Sequence, residues 1–298
     1  MTNDEISVDV IAEGLQTQLL GQRIVYYERI GSTNDVAKQL ADAGEAEGTL
    51  VIADEQTAGR GRLKRTWIAP PRSSILMSLV LRPELAPAQA TRVTMAVALG
   101  ACDAIRAETN LNAQIKWPND ILIDGKKCAG ILSESGIIGD KLEYVVPGLG
   151  VNVNFAISDI VTPALAGGAR VSSERTKREI SQHMVEISRS TRNDIAGIKD
   201  ATTIADELGK PFPRVQLVQA ILRSIEKNYV RLRAGEDLRK EFANRLVTLR
   251  QKLNAQTPWG IEKGIAEDID NDGALLLRRA DGSLVRLVAG EVTLSTRP

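Results

Sequence analysis

Gln56-Thr-Ala-Gly-Arg-Gly-Arg-Leu-Lys-Arg-Thr-Trp67 packs two glycines and four cationic side chains between apolar segments. Gly59 and Gly61 can take left-handed backbone conformations and let a ligand come close, while Arg60, Arg62, Lys64 and Arg65 concentrate positive charge. Such a loop suits a compact anion. A solvated basic turn, or an Arg-Gly patch on nucleic acid, has the same composition, so the flanking segments must decide. Gly48-Thr-Leu-Val-Ile-Ala-Asp54 reads as a buried strand entering the loop, and Ser74-Ile-Leu-Met-Ser-Leu-Val-Leu81 as a second strand leaving it. The loop is strung between core strands.

Working outward, Ile24–Tyr27 reads as a strand, and Gly31-Ser-Thr-Asn-Asp35 opens a helix with Val36, Ala37 and Leu40 turned inward. Ser32 or Thr33 supplies its cap and Asp35 strengthens it, while the free amides of a helix N-terminus also suit an anionic group. The first twenty residues read as a short amphipathic helix carrying Val8, Ile11, Leu15 and Leu19, ended by Gly21. Residues 87 to about 107 read as a core helix. In Gln114-Ile-Lys-Trp-Pro-Asn-Asp-Ile-Leu-Ile-Asp-Gly-Lys-Lys-Cys-Ala-Gly-Ile-Leu-Ser-Glu134, the Asp124-Gly125 pair between apolar runs signals a hairpin. That hairpin gathers Lys116, Asn119, Asp120 and Lys127 in a small region. Tyr144–Asn154 continues as a strand in which Gly148 and Gly150 permit close approach and Asn152 and Asn154 offer amides.

The composition removes several chemistries. A chain of 298 residues has room for about two domains. Lys and Arg total 38 against 38 Asp and Glu, so no global field draws the protein to nucleic acid or to an anionic membrane. Cys102 and Cys128 lack paired metal-ligand spacing, and the lone His183 lies far from the informative motifs. Catalysis is therefore expected from Lys, Arg, Asp and a bound metal. No run of roughly 18 apolar residues exists, and the acidic N-terminus is unlike a signal peptide, so a cytoplasmic protein is expected. No P-loop or complete dinucleotide fingerprint occurs either.

Five motifs in order give the chain a family resemblance: Ser32-Thr-Asn34; Gln56 with Gly59-Arg-Gly-Arg62 and Arg65-Thr-Trp67; Lys116-Trp-Pro-Asn-Asp120; Lys127 with Gly130-Ile131; and Gly148-Leu-Gly-Val-Asn-Val-Asn154. The sequence resembles the biotin protein ligases, over residues 22–155 and again from Ala201 to the end. The resemblance implies an α+β fold of the biotin/lipoate ligase type: a mixed β-sheet with helices packed on it, followed by a small SH3-like β-barrel. Residues 1–255 would form the catalytic domain and 256–298 the C-terminal one. It further implies ATP-dependent ligation of biotin, through biotinyl-5′-AMP, to a lysine of a biotin carboxyl carrier protein, with Mg2+ accompanying the pyrophosphate.

By the same resemblance Ser32, Thr33, Asn34, Gln56, Gly59, Arg60, Gly61, Arg62, Arg65, Lys127, Gly130 and Ile131 would bind biotin and its adenylate. Trp67, Lys116, Asn119 and Asn152 would line the adenine side, with Lys127 and Arg62 as catalytic residues and Asp120 either orienting or deprotonating the acceptor amine or serving a structural role in its hairpin. No protein side chains are assigned to a metal, and Lys64 is read as a solvated charge. The chain departs from the family in a long connector, residues 156–200, where a helix is expected around Ser173 to Ser190. Two helices follow from Pro213 to Leu246, and then three strands joined by Asn271-Asp-Gly and Asp281-Gly turns. Without a helix-turn-helix ahead of this block, no DNA binding is expected, and a homodimer through a sheet edge is a family-based expectation. Two rivals remain: a lipoate ligase or octanoyltransferase of the same fold, and an RNA-binding module. An aromatic content of 3% weighs against the second, which depends on stacking.

Overall fold

The computed structural model describes residues 5–158, 160, 200–257, 260–288 and 290–294. The connector helix expected around Ser173 to Ser190 lies outside the described residues, as do His183, Trp259 and the side chain of Lys64. Strands β1 (Ile24–Tyr27), β2 (Leu50–Ala53), β3 (Ser74–Leu79), β4 (Ala113–Lys116), β5 (Asp120–Ile123), β6 (Lys126–Ile138) and β7 (Lys141–Asn152) form one sheet in the order β1-β2-β3-β7-β6-β5-β4. Only β1 and β2 run parallel, which makes the sheet mixed.

β2 and β3 are buried at every position because both faces of the sheet are covered. Helices α3 (Thr91–Thr109) and α5 (Arg214–Arg233) pack on one face, and α2 (Thr33–Asp42) on the other. Each fully buried aliphatic side chain in this core is worth ~1.5–3 kcal/mol relative to exposure. Gly100 lets α3 and α5 cross closely, since a Cβ there would stand 2.7 Å from the backbone of Ile225. The expected hairpin is present: Asp124 (φ 48) and Gly125 (φ 81) turn the chain from β5 into β6, with both central residues left-handed as the twist of the strands requires.

Two expectations need correction. The first helix, α1 (Val8–Gly14), stops well short of Gly21, and only Ile11 in it is buried. The cause is distant in sequence: the Glu226 carboxylate accepts from the amides of Gln18, Leu19 and Leu20 at 2.7, 2.8 and 2.7 Å and draws them out of the helix. At α2, Ser32 is the N-cap residue but its side chain makes no cap bond. Gln56 Oε1 accepts instead from the Thr33 amide (2.7 Å) and Thr33 Oγ1 (3.0 Å), so the basic loop itself caps the helix.

After α4 (Ile204–Leu208) and α6 (Arg239–Arg245) the chain enters a five-stranded antiparallel sheet. Its order is β11 (Leu284–Leu287), β10 (Leu275–Arg278), β9 (Gly260–Ile269), β8 (Lys252–Thr257) and β12 (Glu291–Leu294). Three of these strands were expected. The boundary placed after residue 255 falls inside β8, because Leu253, Ala255 and Thr257 alternate inward as part of this sheet. Trp117 Nε1 donates to Gly273 O (2.9 Å) and Thr91 Oγ1 to Asp272 O (2.7 Å), seating the sheet against the first domain.

Candidate active site

The floor of the site is the α2 side of β6 and β7, where the strand register brings Gly130 opposite Gly150 and Leu132 opposite Gly148. Side chains have been removed where others must come down. A Cβ on Gly148 would lie 1.9 Å from Asn34 Oδ1, and one on Gly150 would lie 2.6 Å from the Trp67 ring. A Cβ on Gly130 would stand 3.2 Å from both the Trp67 ring and Lys127 Nζ. Asn34 is held over this floor by Ser78 Oγ, which donates to its Oδ1 (2.6 Å), and by its own amide, which donates to Leu132 O (3.0 Å) and Glu134 Oε2 (2.9 Å). Asn152, in register with Ser74, closes the far end and donates to Thr202 O at 3.1 Å.

The Gln56–Trp67 loop lies over the floor as a small ordered excursion. Thr57 and Ala58 donate to Ile30 and Gly31 carbonyls at 2.8 Å each, and Trp67 N returns to Gly59 O at 2.9 Å. Neither Gly59 nor Gly61 adopts the left-handed conformation expected of it. Leu63 does, with φ 55. Gly59 is required by proximity instead, since a Cβ there would be 2.6 Å from Trp67 O.

The three arginines of the loop do different things. Arg60 pairs with Asp35 and with Glu134 (3.1 Å), and Arg65 pairs with Glu291 of β12. Arg62 instead donates to two neutral oxygens, Asn119 Oδ1 (2.9 Å) and Gly290 O (3.0 Å). Burial pushes its guanidinium below the ordinary arginine value, against the opposing charges of Asp120 and Glu291. A desolvated cation without a bound carboxylate is a strong anion receptor. Beside it, Lys127 Nζ lies 2.7 Å from Asp120 Oδ1 and 5.7 Å from the centroid of the Trp67 ring. Asn119 and Asp120 thus set the two cations side by side.

Glu134, which sequence reasoning did not single out, receives Asn34, Lys38 and Arg60. Burial raises its carboxyl pKa, but those hydrogen bonds and charges outweigh the burial and hold it below the ordinary carboxylate value. Glu134 is thus charge-compensated by Lys38 and Arg60, whereas Lys127 and Arg62 share the single carboxylate of Asp120 and leave their end net cationic. A cavity of about 900 Å3 runs under the loop, lined among others by Gly59, Arg62, Asn119, Leu132, Glu134 and Val288. Trp67 Nε1 and Ser74 Oγ are buried without hydrogen-bond partners. A polar ligand atom would relieve the cost of leaving them unpaired.

Residues 26–152 match the Biotin/lipoate A/B protein ligase family and residues 254–295 the Biotin protein ligase C terminal domain. A biotin–[acetyl-CoA-carboxylase] ligase of Mycobacterium tuberculosis is 30% identical over 306 residues, spanning 97% of this chain and 97% of that protein. The chain belongs to the biotin protein ligases. Another biotin protein ligase relative, the bifunctional ligase/repressor BirA of Bacillus spizizenii, is 32% identical over 281 residues, 93% of this chain and 76% of that protein. The solved biotin protein ligase of Aquifex aeolicus, in complex with biotin and ATP, shares the fold with a TM-score of 0.67 at 22% identity, covering 92% of this chain and 99% of that one.

Within this biotin protein ligase, the residues named from sequence divide into three groups. Asn34, Gln56, Arg62, Trp67, Asn119, Asp120, Lys127 and Gly130 converge on the floor and its cationic end. Thr33 and Ser32 sit buried at the start of α2, bounding the other end, while Lys116 lies opposite Asp120 in the β4–β5 register. Ile131 packs into the core at the wall of the cavity, and its backbone meets Asn119, whose O accepts from Ile131 N (2.9 Å) and whose Nδ2 donates to Ile131 O (2.6 Å).

Proposed function

We propose that this chain activates biotin with ATP to biotinyl-5′-AMP and transfers the biotinyl group to a lysine of a biotin carboxyl carrier protein. The single observation that carries the site assignment is the placing of Arg62, a half-buried cation bonded to neutral oxygens, near Lys127 above a glycine floor. In the first step a carboxylate oxygen of biotin attacks the α-phosphorus of ATP and pyrophosphate leaves. Two anions must meet, so the barrier is electrostatic, and Lys127 and Arg62 stand where that charge develops. Mg2+ accompanying ATP would supply charge neutralisation for the departing pyrophosphate.

The net positive charge of Lys127 and Arg62 orients biotin with its carboxylate toward them and its neutral rings toward Asn34 and Gln56. In the second step the acceptor amine attacks the acyl carbon of the mixed anhydride and expels AMP. Asp120, which pairs with Lys127, takes the proton that the acceptor amine gives up as its C–N bond forms. Trp67 supplies an apolar face to the adenine, and the loop keeps water from the intermediate. The relatives' names support acetyl-CoA carboxylase as the source of the carrier domain. A cytoplasmic location, a homodimer through a sheet edge and no role in DNA binding complete the reading. The test is ATP–pyrophosphate exchange: exchange supported by biotin and by neither lipoate nor octanoate is expected, and exchange driven by lipoate alone would overturn the assignment.

A further inference from the structure

We propose that Arg214, at the start of α5 and outside the ligand site, is a positioning residue that fixes both feet of the basic loop and so sets how long biotinyl-adenylate is retained. The proposal rests on the reading of that loop as the cover over the intermediate. Arg214 and Asp54 are each 1% exposed, and Arg214 Nη1 donates to Asp54 Oδ1 at 2.9 Å and to Ser74 O at 3.2 Å. Asp54 is the residue at which the chain leaves β2 for the loop, and Ser74 is the residue at which it enters β3. One guanidinium therefore clasps the two ends of the excursion.

The remaining polar atoms of Asp54 are committed to the same junction. Tyr26 Oη donates to Oδ2 (2.9 Å), Arg72 N donates to the Asp54 carbonyl (3.0 Å), and Asp54 N donates to Tyr27 O (3.1 Å). Two residues beyond Asp54, Gln56 caps α2; seven residues before Ser74, Trp67 lies on Gly150. Both contacts have tolerances set by close packing, so a small shift of either foot moves Trp67 off the glycine floor. A buried ion pair is weak evidence for stability, because apolar residues of similar volume do as well. What apolar residues would not reproduce is the directional hold on a carboxylate and a carbonyl from different strands.

The experiment compares Arg214→Lys and Tyr26→Phe with Glu226→Gln, a control on the same helix that loosens the N-terminal segment without touching the loop. For each full-length variant, release of preformed biotinyl-adenylate, biotin-dependent pyrophosphate exchange and Tm are measured. Arg214→Lys should release the intermediate about ten-fold faster, with exchange within about two-fold of the wild type. Tyr26→Phe should move release the same way by less, and Glu226→Gln should lower Tm and leave release unchanged. Unchanged release in Arg214→Lys, or an equal rise in Glu226→Gln at matched loss of Tm, would overturn the proposal. If Arg214→Lys does not fold, Tyr26→Phe against Glu226→Gln decides it by the same criteria. Absence of biotin-dependent exchange in the wild type would instead refute the function on which the proposal rests.

Discussion

Replacing Lys127 with alanine removes an ammonium that lies 2.7 Å from Asp120 Oδ1 and 5.7 Å from the Trp67 centroid. A unit charge about 4 Å from the developing negative charge, at an effective dielectric near 20, contributes ~4 kcal/mol. That corresponds to a loss on the order of a thousand-fold in the rate of adenylate formation. The fold should tolerate the change, because Lys127 is about a third exposed and a pair this accessible is worth ~0–1 kcal/mol. The assay is biotin-dependent ATP–pyrophosphate exchange, with Tm as the control for folding. Exchange within about three-fold of the wild type would remove Lys127 from the chemistry and with it the electrostatic account of the first step.

Arg62→Ala removes the loop's bonds to Asn119 and Gly290, so preformed biotinyl-adenylate should dissociate about ten-fold faster or more, with stray protein amines labelled as a result; an unchanged off-rate refutes the closing role of the loop. Gly150→Ala places a Cβ 2.6 Å from the Trp67 ring and must displace it, so indole fluorescence should shift and affinity for ATP should fall; a normal Trp67 spectrum and normal affinity would show that the floor can yield. Glu134 is held below the ordinary carboxylate value of 4.5, so its stabilising contribution is complete above that pH and is lost as pH falls through the lower folded value. Glu134→Gln should therefore flatten the acid limb of the Tm–pH curve, and an acid limb identical to that of the wild type would deny Glu134 a part in it.

Much of this architecture was legible because it is written in local pattern. The runs Leu50–Ala53 and Ser74–Leu79, the Asp124-Gly125 turn and the glycines of β7 each report a local constraint: burial on both faces, positive φ, or a side chain overhead. What escaped was set by partners remote in sequence. The end of α1 is decided by Glu226, the cap of α2 by Gln56, and the pairing of Arg60 by Asp35 and Glu134. Strand β8 was hidden because its inward residues, Leu253, Ala255 and Thr257, carry little apolar surface between polar neighbours. The loop's composition pointed to an anion site, yet it could not tell Arg62, which bonds neutral oxygens, from Arg60 and Arg65, which pair with carboxylates.

The most direct test incubates the full chain with biotin, MgATP and a biotin carboxyl carrier domain and reads the carrier by intact mass and peptide mapping. The account predicts one added biotinyl group on a single lysine, dependent on ATP and lost in Lys127→Ala. No mass gain with biotin, together with transfer of a lipoyl or octanoyl group under the same conditions, would contradict it.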